Sequence, residues 1–390
     1  MGAGPLGGIR IVELGSIGPG PFCGMVLADL GADVLRVDRA SGAGLVGPNA
    51  DFRAELMQRG RRSVAVNLKH PDGPGVILDL VARADGFFEG LRPGVCERLG
   101  IGPGPCLERN PRLVYGRMTG YGQDGPMAQA VGHDLNYIAQ SGVLGLIGRA
   151  GQPPTPPLSL AGDFGGGGLM LALGMLAALV ERETSGKGQV IDAAMVEGSA
   201  LLATAFFGFL QNGTWSPERG TNIVDSGAPF YDAYETADGR YLSVAAIEPH
   251  FYTNLLELLE IDPASLPDQH DRSRWPQMKP VFAAAVRRRA LADWLARAQG
   301  VEACVAAVVG IEEIADDEHL TARESFVRRD GVLQPAPAPR FSRTPSQLSH
   351  PPPLPGEHSR DALADWGLDA GQIDALLASG AVRHIAMESA

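Results

Sequence analysis

The sequence predicts an α/β protein with a large domain built on a mostly parallel sheet and a smaller α+β domain. Three observations lead to this prediction. Short apolar strands alternate with helical segments near the N-terminus, two long apolar segments follow residue 163, and a hairpin pattern follows residue 226. A chain of 390 residues, 45% of them hydrophobic and 20% charged, is long enough for two or three globular domains.

The first elements form a βαβ unit. Residues 9–14 are a predicted strand, residues 22–30 an apolar helix that Gly31 closes, and residues 33–38 a second strand. A turn rich in glycine and proline joins the first strand to the helix. The same alternation continues in three further strands and one helix, at residues 63–68, 74–84, 86–89 and 113–118.

The second half of the chain has a different character. Residues 169–180 and 193–210 are almost entirely apolar, so both are predicted helices that must be covered on every side by a core or by a large subunit interface. A β-hairpin at residues 227–244 turns at Asp238-Gly239. The remaining predicted elements are helices at 251–259 and 281–299, a proline-rich extended segment beyond about 310, and short helices at 361–368 and 370–380.

Charge and composition exclude several classes of protein. A formal net charge of −12 argues against nucleic-acid binding, because such proteins are usually basic. The four cysteines form no Cys-x-x-Cys pair, so neither a zinc nor a redox motif is present. Two local basic clusters are expected to be solvated faces. They consist of Arg36 with Arg39, and of Arg59, Arg61 and Arg62.

The expected location is the cytoplasm, without a membrane span. The N-terminus lacks a secretory pattern, and scattered cysteines are typical of a reducing compartment. The longest apolar run, residues 164–180, is shorter than the roughly 20 residues that a span needs.

The turn after the first strand invites a nucleotide-binding hypothesis. Its backbone N–H groups could hold a phosphate, but the spacing Gly18-x-Gly20-x-x-x-Gly24 departs from the dinucleotide pattern. A Walker phosphate loop is rejected, because Gly186-Lys187 is followed by Gly188 instead of Ser or Thr.

His133 and Asp163 are the leading candidates for acid–base chemistry. A neutral imidazole can take or give a proton near neutral pH, although a lone histidine is often a hydrogen-bonded core residue. Asp163 precedes four glycines, Gly165 to Gly168, and a long helix. It could be a helix cap, but four glycines in a first turn suggest that something lies against the bare backbone. Such a helix N-terminus would stabilise an oxyanion.

Glu248 is the third candidate. It follows an alternating strand and precedes Pro249, a position where a surface carboxylate would be unremarkable. A carboxylate paired with a histidine fixes the tautomer of the ring and raises its basicity, which is the functional interpretation.

Several long motifs in one order resemble the class III CoA-transferase superfamily, and within it the racemases of 2-methylacyl-CoA thioesters. The similarity runs from Gly8 to about Phe341. The motifs are Gly18-Pro19-Gly20-Pro21-Phe22, Leu27-Ala28-Asp29-Leu30-Gly31-Ala32, Gly132-His133-Asp134-x-Asn136-Tyr137, Asp163-Phe164-x-Gly166-Gly167, Gly186-Lys187-Gly188-Gln189, Gly227-Ala228-Pro229 and Ala246-Ile247-Glu248-Pro249.

The resemblance implies roles for individual residues. His133 and Asp163 would be the two acid–base residues that flank the α carbon of the substrate, and Glu248 would be the partner of the histidine. CoA would be held by Arg39, Val66, Asn67, Leu68, Lys69, Gly90, Leu91, Arg92, Arg98, Gly132, Asp134, Leu135, Asn136 and Tyr137. Arginine and lysine suit the phosphates of CoA.

The implied activity is interconversion of (2R)- and (2S)-2-methylacyl-CoA by 1,1-proton transfer through an enolate. The alternative is a class III CoA-transferase that uses Asp163 as a nucleophile. No metal and no cofactor beyond the CoA of the substrate is expected. The implied assembly is an interlocked homodimer. Each chain is expected to comprise a Rossmann-like large domain (1–190), a connecting helix (191–225), a small α+β domain (226–310) and a return segment with C-terminal helices that join the large domain (311–390).

Overall fold

A computed structural model describes residues 4–41 and 52–384 of the chain. The strands are β1 (Arg10–Leu14), β2 (Asp33–Arg39), β3 (Arg62–Val66), β4 (Gly86–Glu89), β5 (Val114–Thr119), β6 (Val190–Ala194), β7 (Tyr231–Glu235), β8 (Tyr241–Ala245), β9 (Val305–Ala307), β10 (Phe326–Arg329), β11 (Val332–Pro335) and β12 (Val382–Arg383).

The first two α-helices alternate with the first strands as predicted, and the described residues form further helices along the rest of the chain. The helices of the described residues are α1 (Pro19–Asp29), α2 (Gly73–Val81), α3 (Val95–Arg98), α4 (Pro103–Arg109), α5 (Asp134–Gln140), α6 (Val143–Leu146), α7 (Met170–Ser185), α8 (Met195–Leu202), α9 (Thr204–Gln211), α10 (Pro249–Leu258), α11 (Trp275–Val286), α12 (Leu291–Ala298), α13 (Glu318–Ala322), α14 (Ser359–Asp365) and α15 (Ala370–Ser379). A π-helical segment, Leu160–Leu169, leads directly into α7.

Seven strands form one sheet in the order β12-β3-β2-β1-β4-β5-β6. All neighbours pair in parallel except β12, which runs antiparallel to β3. In the centre, Val12 of β1 lies opposite Leu35 of β2 and Phe87 of β4. The prediction of a mostly parallel, Rossmann-like sheet is confirmed.

The central strands are apolar because helices cover both faces of the sheet. Val12, Leu35 and Phe87 belong to one buried cluster, whereas Ile11 and Phe88 belong to another that contains residues of α1 and α7. Neighbouring residues of a strand point to opposite faces, so the apolar run of β1 serves both clusters.

The chain reverses its direction of sheet growth between β1 and β4. It passes from β1 outward to β2 and β3, then returns to the other side of β1 to form β4, β5 and β6. In open parallel sheets, ligands bind beyond the carboxyl ends of the strands at such a reversal. The topology therefore predicts a ligand-binding site at the loops that follow β1 and β4.

The predicted solvated basic faces are wrong for three of their arginines. Arg36, Arg59 and Arg61 are buried and paired with carboxylates. Glu13 of β1, 0% exposed, accepts hydrogen bonds from Arg36 Nη1 at 2.5 Å and from Arg61 Nη1 at 2.8 Å. Burying an unpaired arginine would carry a large desolvation cost. These arginines can be buried because carboxylates from other parts of the sequence pair with them.

The described residues divide into two compact units. The second unit comprises Gly142–Pro157 and Ala203–Arg323, and the first contains the rest, including the seven-stranded sheet and the β10–β11 pair. In the second unit β7, β8 and β9 form an antiparallel sheet that packs with α10, α11 and α12 around Phe230, Trp275 and Trp294. The predicted hairpin is β7–β8.

Residues 191–225 do not form the single connecting helix that we predicted. Val190–Ala194 instead pairs with β5 as strand β6, which extends the sheet, and two short helices follow. Strand pairing satisfies the backbone of this segment, and α8 then packs against the π-helical segment.

The two apolar segments are only partly covered within one chain. Leu173 of α7 is 58% exposed, Val180 is 74% exposed and Leu201 of α8 is 60% exposed. The π-helical segment and α7 together form one 26-residue helix, Leu160–Ser185, whose length and composition would suffice to cross a membrane, although the core helix of a soluble protein meets the same criterion. Exposed apolar surface of this extent is typical of an interaction site.

Replacing Glu13 by glutamine is expected to destabilise the first unit strongly. The change leaves Arg36 and Arg61 buried without their shared carboxylate, which costs about 3–5 kcal/mol of unfolding free energy. Urea unfolding followed by circular dichroism measures the loss. Glu183→Gln, at an exposed pair with Arg112, is the control and should change stability by less than ~0.5 kcal/mol; equal effects of the two changes would contradict the prediction.

Candidate active site

A cleft of about 670 Å³ lies in the first unit at the carboxyl ends of the central strands. Its walls come from the loops after β1, β4 and β5, from the N-terminal part of α5, and from Asp163. The lining residues are Ser16, Ile17, Gly18, Pro19, Gly20, Gly90, Leu91, Arg92, Pro93, Met118, Thr119, Gly120, Tyr121, Ala128, Ala130, Val131, Gly132, His133, Asn136, Tyr137, Asp163 and Met195. The cleft thus occupies the reversal point of the sheet.

His133 is held at the entrance of α5 by its own backbone. Its extended conformation, φ −128° and ψ 175°, ends the preceding loop, and its N–H donates to Asn136 Oδ1 at 3.1 Å. The side chain is exposed to the cleft. The structure therefore excludes the interpretation of His133 as a core histidine.

The Tyr137 hydroxyl fixes the residue before His133, since it donates a hydrogen bond to the carbonyl oxygen of Gly132. The Tyr137 ring is buried and packs edge-on against Tyr121, with 5.0 Å between the ring centroids. Burial is the main cause that raises the pKa of Tyr137 to about 12, so the hydroxyl keeps its proton and remains a donor.

Asp163 is not a helix N-cap, the alternative role that we considered for it. It lies inside the π-helical segment, whose cap is Ser159, and its N–H donates to Asp134 Oδ1 at 2.7 Å. That N–H is therefore not free to stabilise an oxyanion. The glycines after it do bring something against the bare backbone, but what lies there is the protein: Gly166 contacts α8 and Gly168 contacts α1.

The half-buried carboxyl group of Asp163 faces the loop after β1. A Cβ atom at Gly18 would lie 3.1 Å from Asp163 Oδ2, and Gly18 has a positive φ of 67°. Any side chain at position 18 would be strained and would press on the carboxyl group. Glycine at this position keeps the space beside the carboxylate open.

The pKa of Asp163 is raised to about 6. Burial is the largest cause, the neighbouring charge of Asp134 raises it further, and His133 lowers it. A carboxyl group with this pKa can act either as an acid or as a base near neutral pH.

The loop after β4 is fixed from beneath by a buried ion pair. Glu89, 1% exposed, accepts a hydrogen bond from the N–H of Leu91 at 2.6 Å and from Arg117 Nε at 3.1 Å. Arg92 extends from this loop into the lining of the cleft and brings a permanent positive charge to it.

The structure brings only some of the predicted CoA-binding residues into the cleft. Those that line it are Gly90, Leu91, Arg92, Gly132, Asn136 and Tyr137. Arg39 ends β2, Val66 ends β3 and Asn67, Leu68 and Lys69 follow it, so these lie along the same sheet edge outside the cleft. Arg98 ends α3, Leu135 is exposed on α5, and Asp134 is buried behind Asp163.

Glu248 belongs to the second unit, where it precedes the first residue of α10. Every residue that lines the cleft belongs to the first unit. The pairing of Glu248 with His133 stays a prediction.

The loop that follows β1 was not predicted to be part of the acid–base site. Ser16, Ile17 and Pro19 line the cleft beside Asp163, as do Tyr121 and Met195. The available signal was positional: the turn after the first strand of a parallel sheet lies at its reversal point. Residues 4–41 and 52–384, which the structure describes, contain no group of three or more His, Cys, Asp or Glu side chains that could hold a metal ion.

The chain matches the CoA-transferase family III over residues 6–359. It is 45% identical to the alpha-methylacyl-CoA racemase of Mus musculus and 43% identical to that of Homo sapiens, in each case over 94% of this chain and 95% of the relative. A crystal structure of a CAIB/BAIF family protein from Brucella suis superposes with a TM-score of 0.81 at 26% identity, covering 93% of this chain and all of the other.

The pKa of Asp163 should rise above about 6 when His133 is replaced by alanine. The imidazolium ion favours the carboxylate, so its removal stabilises the protonated acid. Titration of the side-chain carboxyl ¹³C signal in aspartate-labelled protein measures this, with Asp163→Asn identifying the signal. The matched control is His319→Ala, since His319 is exposed in the second unit. A fall in the pKa, or no change, would contradict the charge interaction.

Proposed function

The chain belongs to CoA-transferase family III, and we infer that it is a racemase of 2-methylacyl-CoA thioesters. One observation supports this function above all: His133 and Asp163 line a single cleft, and the pKa of Asp163 is raised to about 6. Epimerisation at carbon 2 needs two groups that can each remove or return a proton.

In the proposed reaction, neutral His133 and protonated Asp163 form one starting state. The imidazole takes the proton from carbon 2, the bonding pair moves into the thioester as an enolate, and the carboxylic acid delivers its proton to the opposite face. The enzyme then carries imidazolium and carboxylate, the starting state for the reverse direction. The number of protons on the pair is unchanged in either direction, so the same two groups serve both.

The CoA moiety is assigned to the carboxyl edge of the sheet. Arg92 in the cleft, and Arg39 and Lys69 further along the edge, offer positive charge to the pyrophosphate and the 3′-phosphate. Neighbouring strands are about 4.8 Å apart, so the edge from β4 to β3 suits an extended ligand such as CoA. The acyl group then extends toward His133 and Asp163. CoA takes part as a portion of the substrate.

Each pure epimer should incorporate one deuterium at carbon 2 in D₂O and drift toward a mixture of epimers. In His133→Ala and in Asp163→Asn, racemisation should fall by about 10²–10⁴-fold, because one face of the carbon has lost its proton donor or acceptor. Each variant should still exchange the epimer that the remaining group deprotonates. Mass spectrometry and chiral analysis of the thioester measure both outcomes.

The same assay decides between racemase and transferase. His319→Ala is the matched control and should keep the rate of the unmodified enzyme. A transferase would instead move CoA from the thioester to a free carboxylic acid through an anhydride at Asp163, with no uptake of deuterium. That result, or full racemisation by either active-site variant, would overturn the proposal.

We also assign the exposed apolar surface of α7 and α8 to a homodimer interface. Leu173, Val180 and Leu201 are more than half exposed within the single chain, and a second copy would cover them. The resemblance to the family implies an interlocked pair of chains, which this surface suits. A cytoplasmic location without a membrane partner is part of the same proposal, with three of the four cysteines buried as free thiols.

Charge placed on that surface should prevent the association. The double change Leu173→Glu and Val180→Lys is expected to give a monomer of half the mass in sedimentation velocity, because burying both charges would cost more than the interface gains. Arg360→Glu, at an exposed position of α14, is the control and should stay dimeric. A double variant that sediments as the control does would assign the interface elsewhere.

A further inference from the structure

Asp134 is buried behind the cleft, a position that is not expected of a surface residue or of a residue that binds CoA. Its side chain is buried, with 6% of the residue exposed, and does not line the cleft. Its Oδ1 atom accepts the N–H of Asp163 at 2.7 Å. The carboxylate of Asp134 therefore holds the backbone of Asp163 from behind, while the carboxyl group of Asp163 itself lines the cleft.

The approach of Asp134 to the π-helical segment requires a bare backbone. A Cβ atom at Gly162 would lie 2.3 Å from Asp134 Oδ1, closer than any real side chain could be. A side chain at position 162 would thus push Asp134 away from the N–H of Asp163. Gly162 leaves room for the Asp134 carboxylate, and the N–H of Asp163 donates a hydrogen bond to it.

Asp134 also follows His133 directly in the chain. His133 caps α5 and Asp134 is its first residue, so the backbone that orients the imidazole also orients the buried carboxylate. A single short segment therefore fixes His133 through the backbone and Asp163 through a side-chain hydrogen bond. Such a link sets the separation of the two acid–base groups.

We propose that Asp134 is a positioning residue for the acid–base pair, whose carboxylate anchors the Asp163 backbone and whose negative charge favours the protonated form of the Asp163 side chain. This proposal rests on the proposed racemase function. The buried charge behind the active site then has a function in the reaction, because Asp163 must be able to act as an acid as well as a base.

The charges around Asp163 are few. Asp134 and His133 of the α5 region are the two charged groups that act on its pKa. The loop after β1 presents Gly18, and α8 carries an exposed Glu197. The carboxylates and arginines of α1 and α7 lie in their last turns, where Asp29 pairs with Arg59 and Arg182 with Asp85. The thiol of Cys23 in the middle of α1 is buried, and burial raises its pKa, so it stays uncharged. Removing the charge of Asp134 therefore removes the nearest negative neighbour.

The test is the pH dependence of deuterium exchange, measured as kcat/KM for the epimer that Asp163 deprotonates, which is the one that still exchanges in His133→Ala. The unmodified enzyme should lose activity below a pH of about 6, as the Asp163 carboxylate becomes protonated. Asp134→Asn keeps an oxygen acceptor but removes the charge. Its acid limb should move to lower pH by on the order of one unit.

Asp134→Ala removes the acceptor as well as the charge. Exchange should fall by about ten- to a hundredfold at every pH, because the backbone of Asp163 is no longer held in place. Asp369→Asn is the matched control: Asp369 also accepts a backbone N–H, from Gln372 at 2.8 Å, but caps α15. Its pH profile should coincide with that of the unmodified enzyme.

The outcomes separate the two proposals. If the unmodified enzyme exchanges no deuterium, the racemase function fails. If it does exchange and the folded Asp134→Asn enzyme keeps the same acid limb, the role of Asp134 is overturned. Circular dichroism verifies folding, and the asparagine variant, nearly identical in shape to aspartate, decides the question if the alanine variant is unfolded.

Discussion

The site depends on one buried carboxylate. Glu13 of β1 binds Arg36 of β2 and Arg61, and Arg61 Nη1 also donates to the carbonyl oxygen of Pro21 at 2.8 Å. Strand β1, strand β2 and the first turn of α1 are thereby joined beneath the loop that borders Asp163. None of these charges contacts the cleft, yet the loop can keep its shape only while they remain paired, because none of them can be left alone in the interior.

Local patterns were sufficient to predict strands β1 to β5, the β7–β8 hairpin and the fold class. The apolar runs of β1, β4 and β5 and the turns between them report on neighbours a few residues away, and the hairpin of β7 and β8 carries its own turn signal. The buried arginines were mispredicted because their partners are remote: Arg61 meets Glu13 from 48 positions away. A sequence pattern shows a charge but does not show whether another charge will cover it.

The candidate site divides in the same way. His133 and Asp163 were identified from residue type and motif, and both line the cleft. The surroundings of Asp163 were misjudged, since the helix begins before it and the π-helical turns place its N–H on Asp134. Nothing local distinguishes an aspartate that caps a helix from one that lies inside a widened turn, because the difference depends on what packs against the glycines that follow.

The acid–base groups and the part of the cleft wall that comes from residues 123–131 are built differently. The former stand at the N-terminus of α5 and in the π-helical segment, next to the buried residues Asp134 and Tyr137. Residues 123–131, which supply Ala128, Ala130 and Val131 to the wall, form successive surface turns, and Val131 is 71% exposed. Substitutions or insertions there would leave the proton-transfer apparatus intact. Variation in this surface loop would therefore reshape one wall of the cleft while the groups that transfer protons keep their surroundings.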